Sequence, residues 1–427
     1  MRARIPFSLL GCFLVAAVAA AGCSFSSSSD GFSIEIGPKA WRWERYADER
    51  RQLELEIAAG DVLVLEDLNG DVAVAVSGGQ PGLEVRLRVH APTDDEAEAA
   101  LDRAEIVVER IGREVHVRLS GLESDDVEVT TDYTARVPEG VSLRVRSGSG
   151  DIDVDGPLGS VSAATAYGDV NVVHVRGDAI LKSASGDIEV GDVVGQRVVA
   201  TTSYGDVEVF DVVASELVAE SRSGDVEIRS VRCEVIKALS SYGDIQLDDT
   251  TGDVEARTSS GSIEVAGAGA GDHVLHSGYG SVRIRDAGGS TGGSIRATSS
   301  SGDVVLDDVA GRVEAQSGYG DVEVTGVLTV VLAKSSSGSV QVTALRGSTA
   351  EADWKLESSY GDVEIRLPSA FSCIIDASTS YGSIDTDSSL DLRPVENGAG
   401  EVAAGALGEG GAKVRLHTYS GDVEIRR

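Results

Sequence analysis

A short turn, Ser or Tyr followed by Gly, then Asp or Ser, then Val or Ile, recurs from Leu143 to the end of the chain. Its glycine falls at Gly150, Gly168, Gly186, Gly205, Gly224, Gly243, Gly261, Gly280, Gly302, Gly320, Gly338, Gly361, Gly382 and Gly421. The early steps are 18 or 19 residues, and the step from Gly280 to Gly302 is 22. The last step, 39 residues, is read as hiding one degenerate coil near Gly400-Glu401-Val402. A period of this length means stacked units, none able to bury its apolar face alone.

Aligned on the turn glycine, the chain gives a map of inward positions. Two and four residues after it stand pairs such as Val170 and Val172, Ile188 and Val190, or Val207 and Val209. Seven, five and three residues before it stand a larger aliphatic, then Ala or Leu, then Ser or Thr, as in Val198-Ala200-Thr202 and Leu217-Ala219-Ser221. Spacing by two is the period of a β-strand, so each coil is expected to hold two strands facing one another. The side chains shrink toward the turn, which implies that the strands converge there. The fold class expected is all-β: a parallel β-solenoid of about 15 coils of 18 to 19 residues.

The residue before the glycine alternates between Ser and Tyr from Ser149 to Tyr360, and Tyr381 then breaks the order. A coil of 18 to 19 residues would lay each Tyr beside the small Ser of its neighbours. A coil of about 37 would stack Tyr turns on one corner and Ser turns on the other. The smaller coil is the better fit, because five inward residues already close it.

Residues 51–140 read differently, as a small α/β capping unit without a fixed repeat. Alternating stretches such as Val72-Ala73-Val74-Ala75-Val76 predict strands, and Thr93-Asp94-Asp95-Glu96 predicts a helix N-terminus leading through Ala97, Ala100 and Leu101. Before this unit, Arg2 and Arg4 precede an apolar stretch too short to span a bilayer comfortably, ending at Ala20-Ala21-Gly22-Cys23. The tetrapeptide resembles a bacterial lipoprotein box, with Ala where Leu is usual at its first position. This resemblance implies a signal peptide over 1–22 and lipid on Cys23. Residues 23–50 are then the acylated cysteine and a polar tether, and 141–427 the repeat domain. Ser24 in place of Asp resembles lipoproteins sent onward to an outer membrane. Of the remaining cysteines, Cys233 and Cys373 lie seven coils apart, roughly 34 Å at the strand spacing, too far for a disulfide.

The net charge of −33 makes nucleic acid an improbable partner, since that affinity depends on clustered Lys and Arg. The tempting chemistry is acidic. Asp151, Asp169, Asp187, Asp206, Asp225 and Asp244 follow the turn glycine in successive coils, where they would repel unless each accepted backbone N–H groups or held cations. Ser262, Ser281, Ser339 and Ser383 take the same place, and Ser is a poor Ca²⁺ ligand, so hydrogen bonding is the expectation. A second row, Glu189, Glu208, Glu227, Glu264, Glu323, Glu364 and Glu424, is expected on a solvated face. The pairs Asp248-Asp249 and Asp307-Asp308 fall three coils apart, and the six histidines are scattered. No catalytic residue, metal ligand or cofactor is therefore expected.

The Ser-Gly-Asp-Val-Glu-Ile type of turn, entered through Val137-Pro138-Glu139-Gly140-Val141, resembles the bacterial putative-adhesin family of β-helix surface proteins over residues 51–427. That resemblance implies a β-solenoid in the cell envelope. The function expected is that of a non-enzymatic adhesin or surface scaffold, a rigid rod whose outward Glu, Asp, Ser and Thr rows meet an envelope polymer or surface protein. The alternatives are a periplasm-facing envelope-stress or polymer-binding lipoprotein and, remotely, a polysaccharide-active enzyme.

Overall fold

The computed structural model describes residues 23–28, 31–36, 45–122, 127–287, 293–395 and 399–427. The expected signal peptide lies outside them. Cys23–Ser28 pairs antiparallel with Gly31–Ile36 as a separate two-stranded sheet. From Arg45 onward nearly all strands belong to one sheet that winds into a parallel solenoid.

The coil is the smaller of the two expected. A Cβ added to Gly168 would lie 2.2 Å from the Gly150 carbonyl oxygen, and one on Gly186 would lie 1.9 Å from that of Gly168. Each turn therefore sits directly on the turn 18 or 19 residues earlier, and any side chain at this point would collide with backbone. The strands pair in the same step: Val207 faces Ile188 on one side and Val226 on the other.

All five expected inward positions are buried, as Val207, Val209, Leu217, Ala219 and Ser221 show. A sixth, seven residues after the glycine, was not expected, and Val175, Val193, Val212 and Val231 fill it. It exists because the chain bends one residue earlier, at His174, Asp192, Asp211, Ser230, Asp249, Asp286 and Asp308, all with φ between 46° and 63°. Asp, Ser and His tolerate this left-handed conformation better than bulky or β-branched residues do. Asp249 and Asp308, the second members of the two acidic pairs, are thus bend residues. The coil is consequently not two facing strands alone: a short third side follows the bend.

About 12 turns run in chain order, from the Gly150 coil to the Gly361 coil, and the coils of Gly382 and Gly421 extend the stack, so of the 15 expected only the degenerate coil near Gly400 is absent. The stack continues at both ends out of order. At the C-terminal end Val363 pairs with Val423, and Val423 pairs in turn with Ile384, so the Gly421 coil lies between the coils of Gly361 and Gly382. The chain builds the outer coil first and turns through the antiparallel strands Asp391–Pro394 and Glu401–Leu407. It then returns to fill the gap. Glu401-Val402 belongs to that antiparallel cover, packed on Cys373–Thr379, and is not a degenerate coil.

The N-terminal end is the mirror of this, with its inner layer before its outer one in the sequence. Val62–Asn69 and Val72–Val76 lie directly beneath Ser142–Ser149 and Ile152–Leu158, while Glu114–Ser120 and Glu128–Val137 form the outer layer. The helix Asp94–Arg103 begins at Thr93, whose hydroxyl accepts from the Glu96 N–H at 3.2 Å. It buries Ala97 and Ala100, and Arg51 donates to the Leu101 and Ala104 carbonyls at its other end. This capping unit covers the end of the stack and contributes layers to it.

Candidate functional site

The turn corner is where the repeated side chains converge. Three residues before each glycine, a buried Ser or Thr hydroxyl links two layers. Ser221 accepts from its own Gly224 N–H at 2.9 Å and donates to the Gly205 carbonyl below at 2.7 Å. Ser183, Ser240, Thr258 and Ser277 do the same in their coils. Two buried backbone groups that the tight stacking would otherwise strand are satisfied by one hydroxyl. Sequence reasoning placed these residues inward for their size and missed the relay. Its signal was there: Ala would taper equally well, yet only Ser and Thr occur at this position from Ser147 to Thr418.

One residue after the glycine, the aspartates form a second ladder. Asp151 Oδ1 accepts from the Asp169 N–H at 2.9 Å, Asp169 from Asp187 at 2.8 Å, and Asp187 from Asp206 at 2.8 Å. Asp206 and Asp225 continue it, and Asp244 accepts from the N–H of Ser262. The expected backbone hydrogen bond is present, but it crosses to the next coil instead of closing an Asx turn. Each carboxylate gains an N–H donor that offsets repulsion from its neighbours. Among the described residues, no three His, Cys, Asp or Glu side chains gather as a metal site.

The glutamate row is largely neutralised within the sheet. Arg229 pairs with both Glu208 and Glu227, Arg285 with Glu264 at 2.9 Å, and Arg366 with Glu364 at 2.6 Å. Arg426 pairs with Glu424 at 2.6 Å. Cys233 and Cys373 are buried and free, and burial pushes both thiols up to about 11, out of the reactive range. His273 occupies an inward position that its layer neighbours fill with Val254 and Ile295. One ring nitrogen lies 3.0 Å from the Gly269 carbonyl, and the other is buried without a partner.

The tyrosines are the exposed element of the corner. Tyr167, Tyr204, Tyr242, Tyr279, Tyr319 and Tyr360 are 61–73% exposed, each just before a turn glycine. The alternation that Tyr381 breaks along the chain is intact in space, because the Ser420 layer lies between those of Tyr360 and Tyr381. Three contacts fix that order. Thr418 donates to the Gly361 carbonyl and Thr379 to that of Gly421, both at 2.8 Å, and Asp422 Oδ1 accepts from the Ser383 N–H at 2.7 Å. The row ends in an edge-on pair, Tyr381 and Tyr419, with centroids 5.3 Å apart.

Cys23 begins the first described strand. No helix among the described residues is long and apolar enough to cross a membrane.

The Toastrack DUF4097 family matches residues 113–266 and 248–426. No curated protein matches the chain in sequence. Among solved structures, a "putative cell adhesion protein" from Clostridium sporogenes is 10% identical, with 89% of this chain and 99% of that one covered and a TM-score of 0.16. A "putative adhesin" from Parabacteroides merdae is 13% identical, covers 65% and 95%, and has a TM-score of 0.25. A "putative lipid binding protein" from Parabacteroides distasonis is 13% identical, covers 65% and 96%, and has a TM-score of 0.27.

Proposed function

The chain belongs to the Toastrack DUF4097 family, and from that premise we propose that it acts as a non-enzymatic surface scaffold, a rod held on the bacterial cell envelope by lipid on Cys23. The observation that carries this reading is the repetition of one exposed corner, Tyr alternating with Ser, over the whole run of stacked coils. A catalytic site is a single convergence of unlike groups. A corner that presents the same groups layer after layer is suited to multivalent contact, in which weak identical sites act together. The stack serves as a stiff support, since every layer is hydrogen-bonded to the next and both ends are closed.

Fractionation and protease treatment of intact cells test the proposal. Wild-type protein is expected in the membrane fraction and open to added protease. Cys23→Ser is expected to leave the membrane or accumulate as unprocessed precursor. Normal maturation and membrane retention of the Cys23→Ser chain would contradict the lipid anchor. Protection from protease in intact cells, with cleavage only after lysis, would favour the periplasm-facing alternative.

A further inference from the structure

The tyrosine row has a spacing as well as an exposure. From Tyr167 to Tyr381 the rings occupy every second layer of one corner, and Ser occupies the layers between. Adjacent layers of a parallel sheet are about 4.8 Å apart, so successive rings recur at about 9.6 Å. In an extended β-1,4-linked glycan each sugar is flipped relative to the last. A given face therefore returns only once per disaccharide, at about the same two-layer step of the sheet. Aromatic rings stack on the C–H faces of sugars, and a Tyr hydroxyl adds a polar handle.

The geometry points to the tyrosine corner as a binding track for an uncharged, extended β-1,4-linked glucan, one ring meeting each disaccharide. The layers between supply the hydroxyls such a polymer needs: Ser185, Ser223, Ser260 and Ser337 are exposed beside the rings. Each turn aspartate commits Oδ1 to the inter-layer ladder, and its second oxygen has lone pairs for a sugar hydroxyl. The occupant is no polyanion, because the aspartate row runs alongside the rings and the chain carries −33 overall; a neutral glucan is held by stacking and hydroxyl contacts that need no charge. It is a polymer because equivalent sites recur along the stack, whereas a globular partner meets one compact patch. This names a partner for the scaffold and rests on that reading for its biological setting, though not for the binding itself.

Co-sedimentation of the purified full-length protein in detergent with insoluble cellulose, with cello-oligosaccharides of increasing length as competitors, tests it. The wild type is expected to bind cellulose and to be displaced better by longer oligosaccharides. It is expected to ignore amylose, whose α-linkages coil the chain, and charged peptidoglycan sacculi. Tyr242→Ala, Tyr279→Ala and Tyr319→Ala should each weaken binding roughly threefold to tenfold. The triple variant should lose detectable binding while keeping the wild-type melting curve, since all three side chains are exposed. Failure of the wild type to bind cellulose would overturn the assignment, as would preference for amylose or sacculi, unchanged binding by the triple variant, or tyrosine-dependent self-association in its place. Because the assay uses purified protein, a failure here leaves the envelope reading intact, and a failure of the Cys23→Ser experiment leaves this one intact.

Discussion

Ser221 is 2% exposed, and its hydroxyl holds the Gly224 N–H and the Gly205 carbonyl at once. Ser221→Ala keeps the shape and strands both backbone groups, so it should cost about 1–3 kcal/mol. Ser221→Thr should cost under about 1 kcal/mol, because Thr202 and Thr258 make the same donation to the layer below. Urea midpoints decide between them; an Ala variant as stable as wild type would remove the relay from the account. His273 gives the residue scale its pH dependence. Burial first, against weaker pulls from the Gly269 carbonyl, Asp253 and Asp272, holds its pKa below the ordinary 6.5. The folded state therefore favours the neutral ring. Its stability contribution is complete above 6.5 and declines as pH falls below it, because the unfolded chain takes up the proton first. His273→Val should abolish that part of the acid destabilisation. A His273→Val variant with the wild-type slope of melting temperature against pH, just below 6.5, would contradict it.

At the scale of the element, the turn register was fully legible because period-two burial and an obligatory glycine leave marks at fixed offsets. Val207 and Glu208 state the distinction most sharply. Val207 is enclosed between Ile188 and Val226, whereas Glu208 lies on the outer face beside Arg229. Val207→Asp buries an unpaired carboxylate and should cost several kcal/mol. Glu208→Lys loses only an exposed ion pair and should cost under about 1 kcal/mol. Equal sensitivity of the two sites to urea would show that the inward assignment is wrong. The bend that creates the sixth inward position was harder to see, because His, Asp and Ser at one offset look like ordinary surface residues until φ is known. The layer order at the ends was missed for another reason. Parallel pairing depends on which coil is adjacent in space, and a chain-order reading assumes that neighbours in sequence are neighbours in the stack. The Tyr360-to-Tyr381 break in the alternation and the 39-residue step to Gly421 were the marks of the exchange, and Ser420 was its resolution.

On the scale of the whole molecule, both ends stack their last two layers out of chain order: the C-terminal end builds its outer layer before its inner one, and the N-terminal end its inner layer, 62–76, before its outer one, 114–137. Repeat proteins need caps, since an end coil exposes an apolar face and an unpaired strand edge. Here the chain locks its caps by intercalation: the C-terminal strand Val423–Arg426 cannot leave without opening a gap between two other coils. The same order keeps Tyr on every second layer up to Tyr381, so the periodic corner and the proposals built on it depend on it. Engineered disulfides measure it directly. Glu424 faces Glu364 on one side and Asp385 on the other, at the roughly 4.8 Å of adjacent strands, within the usual Cα range for a disulfide of about 4.4–6.8 Å. Glu364 and Asp385 are two layers apart, about 9.6 Å, beyond the limit of about 7 Å. Oxidation of double-cysteine variants, read by peptide mapping, should therefore link positions 364 and 424 and positions 385 and 424, and leave 364 and 385 unlinked. A ready link between 364 and 385, with none to 424, would place the coils in chain order and contradict the account.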